Sequence, residues 1–146
     1  MDSMTGSVRI DRHLSDADEH AIVNGLRSFN EAWIGPSNEE AVRFVARDEL
    51  GVAGGLLGHI KWKWLYVAKL WVDERARGHG VGTQLLTAAE DLARARGCTD
   101  ASLDTFEYQA RPFYEKLGYH VFGTLDGYPP GYRQFYLRKR LVTPTG

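Results

Sequence analysis

A chain of 146 residues has the length of one compact domain, enough to bury roughly 68–70% of the surface its unfolded form exposes. Eighteen Lys plus Arg against nineteen Asp plus Glu leave a net charge of -1, so no overall field draws in nucleic acid or an anionic membrane, and any anion site must be built locally. A single cysteine, Cys98, excludes an internal disulfide and reads as a small buried apolar residue in a reducing, intracellular setting. Residues 1–6 lack a cationic stretch followed by an apolar run, and no later stretch approaches the ~18 apolar residues that span a bilayer, so the expected location is cytoplasmic.

Residues 8–10 alternate apolar and polar positions and predict a short first strand. A helix follows. The Ser15 hydroxyl can cap it and Asp18 completes a capping box, while Ile22, Leu26, Phe29 and Trp33 recur at helical spacing, one buried stripe ended by Gly35-Pro36. From Glu40 the period becomes two, with Val42, Phe44 and Ala46 on one face, until a hairpin turn at 48–51. The glycine-rich run 52–60 and the aromatic run 62–72 read as two more antiparallel strands, the glycines marking a bulge or a close approach of backbone.

Val81, Leu85, Leu86, Ala89 and Leu92 then line one side of a helix that Gly97 stops, with Glu90 on its solvated polar face. Residues 98–105 predict a strand and 109–117 a helix stopped by Gly118. Two last strands, 119–125 and 132–141, flank the turn 127–131, and Arg138-Lys139-Arg140 reads as a solvated strand end. With no repeat, low-complexity stretch or linker, 7–141 reads as one domain between terminal tails at 1–6 and 142–146. Antiparallel strands followed by strands joined through helices make this a mixed α/β (α+β) sheet of about seven strands.

Gly78, Gly80 and Gly82 occupy alternate positions of Arg77-Gly78-His79-Gly80-Val81-Gly82, between an apolar strand and an amphipathic helix. Side chains there would block approach to the backbone. Successive N–H groups and the positive end of the helix dipole make a nest for a phosphate, and Arg75 and Arg77 add charge at its mouth. A nucleotide-triphosphate loop fails because Thr83-Gln84 follows Gly82 where Lys and Ser or Thr are needed. A dinucleotide fingerprint would suit Asp104 about 20 residues on, but it needs two spacers before its third glycine and a parallel sheet starting at the motif. The glycines by themselves still admit a loop with no ligand.

About thirty residues downstream comes Ala110-Arg111-Pro112-Phe113-Tyr114-Glu115-Lys116-Leu117-Gly118-Tyr119. An Arg-x-x-Gly-x-Gly turn paired with Phe-Tyr-Glu-Lys-Leu-Gly-Tyr resembles the GCN5-related N-acetyltransferase (GNAT) superfamily, strongly over residues 64–119 and in element order over most of the chain. The resemblance implies helices on both sheet faces and a V-shaped slot between the fourth and fifth strands for the pantetheine arm of acetyl-CoA. The backbone of Leu70, Trp71 and Val72 would bond that arm as an added strand does. Arg77, Gly78, Gly80, Val81, Gly82 and Thr83 would surround the pyrophosphate, with His79 an outward spacer, and Phe113 and Tyr114 would lie against the coenzyme.

The implied reaction is N-acetyl transfer by direct attack of a primary amine on the thioester, without a metal. Tyr114 matches the tyrosine that in this superfamily often acts as general acid to the departing thiolate, a phenol of pKa ~10 facing a thiolate of pKa ~8.5; a core aromatic is the other reading. Glu107 stands where many members carry asparagine, and the strand Trp64–Val72 offers Lys69 where many carry an acid. Asp104 and Glu107 are therefore the candidates for base or substrate side, with structural roles open to both. Relatives often place two helices where this chain has one, which implies a reduced acceptor lid. Trp62, Trp64, Tyr66, Tyr128 and Tyr132 read either as acceptor lining or as core. The expected acceptor is a small-molecule or peptide amine, with no nucleic acid and no membrane partner, and exposed strand edges permit a homodimer. A non-catalytic CoA-binding module is the alternative, and the fold does not select an acceptor.

Overall fold

The computed structural model describes residues 6–142, and the chain divides into two compact units, Met1–Pro36 and Ser37–Gly146. In the first, α1 (Asp16–Ile34) starts as its sequence dictates: the Ser15 hydroxyl accepts from the Asp18 amide at 3.1 Å and the Asp18 carboxylate from the Ser15 amide at 2.9 Å. Two expectations fail here. Residues 8–10 form no strand, pairing with no strand among the described residues. The stripe Ile22, Leu26, Phe29 and Trp33 is also exposed, because a helix hides a stripe only against a second surface and this unit has none of its own among the described residues.

The second unit is a sheet of six strands rather than about seven, in the order β1-β2-β3-β4-β6-β5. Its strands are β1 (Glu40–Asp48), β2 (Gly51–Lys61), β3 (Trp64–Val72), β4 (Asp100–Phe106), β5 (His120–Asp126) and β6 (Arg133–Arg140). All neighbours pair antiparallel except β3 and β4, the strands anticipated as fourth and fifth. A 3-10 turn (Glu74–Ala76) and α2 (Val81–Ala95) connect β3 to β4, and α3 (Arg111–Lys116) follows β4. Helix α2 packs across β1, β2 and β3, and α2 and α3 both feed one core that includes Leu56, Leu65, Leu86, Leu103, Tyr114 and Leu137.

Ala68 is a bulge in β3. Val67 pairs with Gly58 and Lys69 with the adjacent Leu57, so one extra residue sits on the β3 side. A methyl at Gly58 would collide with the Tyr66 carbonyl oxygen, which explains one glycine of the run 52–60 as a close backbone approach.

Glu90 corrects its sequence reading. It is buried, 4% exposed, accepting from Tyr119 Oη at 2.7 Å and from Lys139 Nζ at 2.9 Å. Charge alone made it look solvated, but its two hydrogen-bond partners lie 29 and 49 residues away, beyond any local pattern, and only a longer ion pair at 3.9 Å reaches Arg94 on the same helix. Nor is the end of β6 merely solvated. Arg138 bonds Asp100 at 3.0 Å and covers the Trp64 ring at 4.8 Å, while Lys139 completes the Glu90 pair.

Candidate active site

Strand β3 pairs with β4 only from Trp64↔Asp100 to Val67↔Leu103, just before the bulge. Beyond it β3 stays with β2 and β4 stays with β6, so the strands part and each turns an unpaired backbone edge inward. The resulting slot has a volume of about 1060 Å³, at the upper end of ordinary ligand cavities of roughly 300–1,000 Å³. Every residue expected at the coenzyme lines it except His79, which is exposed and outside the lining.

The glycine turn forms one end. Gly78 and Gly80 have φ of 81° and 78°, left-handed values that favour glycine, and Gly80 is the N-cap of α2. No side chain caps this helix and no acidic residue sits in its first turn. Its leading amides and dipole are left for an external anion. A Cβ on Gly82 would come within 3.2 Å of Phe113 Cζ, so the two segments paired in the sequence touch here: the ring of α3 closes on the backbone of the nest. Arg77 lines the slot with its Nε donating to the Val72 carbonyl at 3.0 Å. Arg75, expected at this mouth, instead grips Asp48 at 2.9 Å, Asp73 at 3.0 Å and the Val52 carbonyl at 2.9 Å, which holds the Asp48 carboxyl below the usual range and braces the turn from behind.

Tyr114 is 7% exposed, its ring set edge-on to Phe113 and Tyr119. Its hydroxyl has no partner among the described residues, yet no buried side-chain polar atom among them is orphaned, so it opens into the slot it lines. Burial first, and the charge of Asp104 second, push this phenol up to about 12.

Asp104 is the one acid lining the slot among the described residues. It belongs to the face of β4 opposite the core residues Ala101 and Leu103. Tyr66 Oη donates to its Oδ2 at 2.7 Å and Gln134 Nε2 to its Oδ1 at 3.1 Å, with Tyr136 Oη donating to Gln134 Oε1 at 2.9 Å. Burial and this carboxylate together raise Tyr66 to about 12. Glu107 is elsewhere: outside the lining, it accepts from Arg133 Nη2 at 2.9 Å and from the Arg133 amide at 3.1 Å, which lowers its carboxyl.

The sequence reading missed Gln109 and Gln134. Gln109 accepts from the Thr105 hydroxyl at 3.0 Å and the Phe106 amide at 2.7 Å, fixing the loop after β4. A polar residue just before a helix was the available signal for Gln109; Gln134 had none, since its partner Asp104 is 30 residues away. Of the five aromatic candidates for the acceptor side, Trp64 packs under Arg138 and Tyr66 supports Asp104, whereas Tyr128 and Tyr132 remain about half exposed.

Residues 11–119 match the family described as Acetyltransferase (GNAT) family, across the division between the two units. Blasticidin-S acetyltransferase of Streptomyces morookaense is 44% identical over 91 residues, 62% of this chain and 67% of that one. Acetyltransferase Atu2258 of Agrobacterium fabrum is 39% identical over 129 residues, 87% of this chain and 94% of that one. A crystal structure of an acetyltransferase from Bacillus cereus superposes with a TM-score of 0.81 at 32% identity, covering 90% of this chain and 97% of the other.

Proposed function

Because this chain belongs to the GNAT family of acetyltransferases, we propose that it moves an acetyl group from acetyl-CoA to the primary amine of a small molecule, with the nest at Gly78 to Thr83 holding the pyrophosphate, Asp104 facing the amine and Tyr114 facing the sulfur. The carrying observation is that, among the described residues, the uncapped nest, the unpartnered Tyr114 hydroxyl and the only lining acid share one slot. A relative whose name makes it a blasticidin-S acetyltransferase supports the small-molecule acceptor.

The chemistry follows from these positions. The amine lone pair forms the C–N bond to the thioester carbon, and the C–S pair leaves on sulfur. As the nitrogen becomes a non-basic amide it sheds a proton, for which Asp104 is the acceptor within the slot. The unpaired backbone edge of β3 from Lys69 onward supplies the N–H groups for the carbonyl oxygen and the pantetheine amides. A phenol at about 12 keeps its proton against a thiol whose ordinary pKa is about 8.5. Complete transfer is uphill by roughly 3.5 units, or about 5 kcal/mol. Tyr114 therefore acts by donating a hydrogen bond to the departing sulfur, which solvent then protonates.

Purified protein is expected to bind CoA in a calorimeter and to release free thiol from acetyl-CoA with members of a primary-amine panel. CoA binding with no thiol release from any amine would leave a non-catalytic binding module, and no CoA binding would overturn the assignment of the nest.

A further inference from the structure

Beside the carboxylate end of the slot lies a chain of aromatic rings that the reaction as described does not use. Phe106 stacks on Tyr108 at 5.8 Å and meets Tyr128 edge-on at 5.3 Å, while Tyr108 meets Tyr132 edge-on at 5.0 Å. Phe106 and Tyr108 line the slot. Tyr108, Tyr128 and Tyr132 are 58%, 51% and 48% exposed, and none of their hydroxyls has a hydrogen-bond partner among the described residues. Folding gains little from rings left this open.

Their supports are stiff. Gly127 donates to the Tyr132 carbonyl and Tyr132 to the Pro129 carbonyl, both at 2.8 Å, around two prolines whose φ is fixed. Glu107 ties this turn to the loop after β4, donating through its amide to the Arg133 carbonyl at 2.8 Å and accepting from the Arg133 side chain. The pair that removes Glu107 from the chemistry thus locks two aromatic loops together. Rigid aromatic anchors cost little conformational entropy when a ligand binds.

Position and charge select the occupant. Phe106 lies two residues beyond Asp104, on the same face of β4 and away from the face to which α2 packs. A ligand spanning both places needs an amine at one end, its N–H turned to the carboxylate, and a flat, π-rich body at the other. We infer that the Phe106, Tyr108, Tyr128 and Tyr132 cluster is the acceptor's ring subsite, and that the preferred substrate is a primary amine carried a short distance from a planar aromatic or heteroaromatic ring. This rests on reading the Asp104 side of the slot as the acceptor side.

Matched amines that differ only in the ring test it. Acetylation of 2-phenylethylamine and of 2-cyclohexylethylamine is measured at saturating acetyl-CoA, with tryptamine and n-hexylamine as a second pair. Offset and edge-on ring pairing corresponds to a preference of roughly tenfold in kcat/KM for the aryl member. In Tyr128→Ser and Tyr132→Ser that preference is expected to shrink toward unity, while the KM for acetyl-CoA and the CoA dissociation constant stay at wild-type values. Equal use of aryl and saturated amines by the wild-type protein overturns the proposal without needing any variant. A rise in the KM for acetyl-CoA in either variant overturns it differently, by showing that the rings stack on the coenzyme base. If no amine of any kind is acetylated although CoA binds, the acetyl-transfer reading fails first and the subsite falls with it.

Discussion

Tyr114 combines a ring held by two neighbouring aromatics with a hydroxyl that no described protein group satisfies. Removing only that oxygen separates packing from chemistry. Tyr114→Phe is expected to keep or slightly raise the unfolding midpoint, because a hydroxyl without a partner adds nothing to the core, and to lower kcat by about 10²-fold through the lost hydrogen bond to the developing charge, with the KM for acetyl-CoA little changed. The same phenol makes a statement about pH. Its folded pKa of about 12 lies above the unfolded value near 10, so the unfolded chain ionises first and stability falls as pH rises from 10 through 12, while below pH 10 the phenol leaves stability independent of pH. The loss by pH 12 is about 2 kcal/mol. The gap in unfolding free energy between wild type and Tyr114→Phe should move by that amount between pH 9 and 12 in urea titrations. Tyr66 and Tyr119 are shifted in the same direction, so a spectrophotometric titration of the seven tyrosines should show a late-ionising group of three.

The second helix depends on a turn built from left-handed glycines, and Gly80 holds its first cap position with φ of 78°. A methyl there meets nothing within 4 Å, so the cost of Gly80→Ala is backbone strain of about 1–2 kcal/mol rather than a clash. Its expected effect is a raised KM for acetyl-CoA through a displaced nest, read beside a thermal midpoint lowered by only a few degrees. This turn was legible in the sequence because its signals are local: glycines at alternate positions, an apolar strand before them and an amphipathic helix after. The capping box of α1 was legible for the same reason. Partners from distant segments were not. Arg75 looked like phosphate-binding charge because Asp48, its strongest partner, lies 27 residues upstream, and Glu107 looked free because Arg133 lies 26 residues downstream. The stripe on α1, expected to be buried, is exposed, because periodicity names the residues that could be buried and not the surface that would bury them.

Across the whole molecule, the cluster of Glu90, Tyr119 and Lys139 joins α2, the residue before β5 and β6 through one buried carboxylate. Breaking such a pair from one side leaves a desolvated charge behind, so Glu90→Ala should lower the unfolding free energy by about 3 kcal/mol in urea denaturation. Glu90→Gln, which keeps an acceptor for Tyr119, should lose less. Stability and activity draw on different parts of this sheet, and Ala68 shows where they divide. Leu65, Val67, Leu70 and Val72 all turn toward the core, and without Ala68 they would fall at simple alternate positions. The core has no use for that residue. A chain lacking Ala68 should therefore fold with a similar thermal midpoint while β3 runs straight enough to zip further along β4, and it should fail to take up CoA in a calorimeter. On this reading the crevice is one alanine more than the hydrophobic pattern requires, a place where a single codon could turn a catalyst into an inert sheet of the same fold.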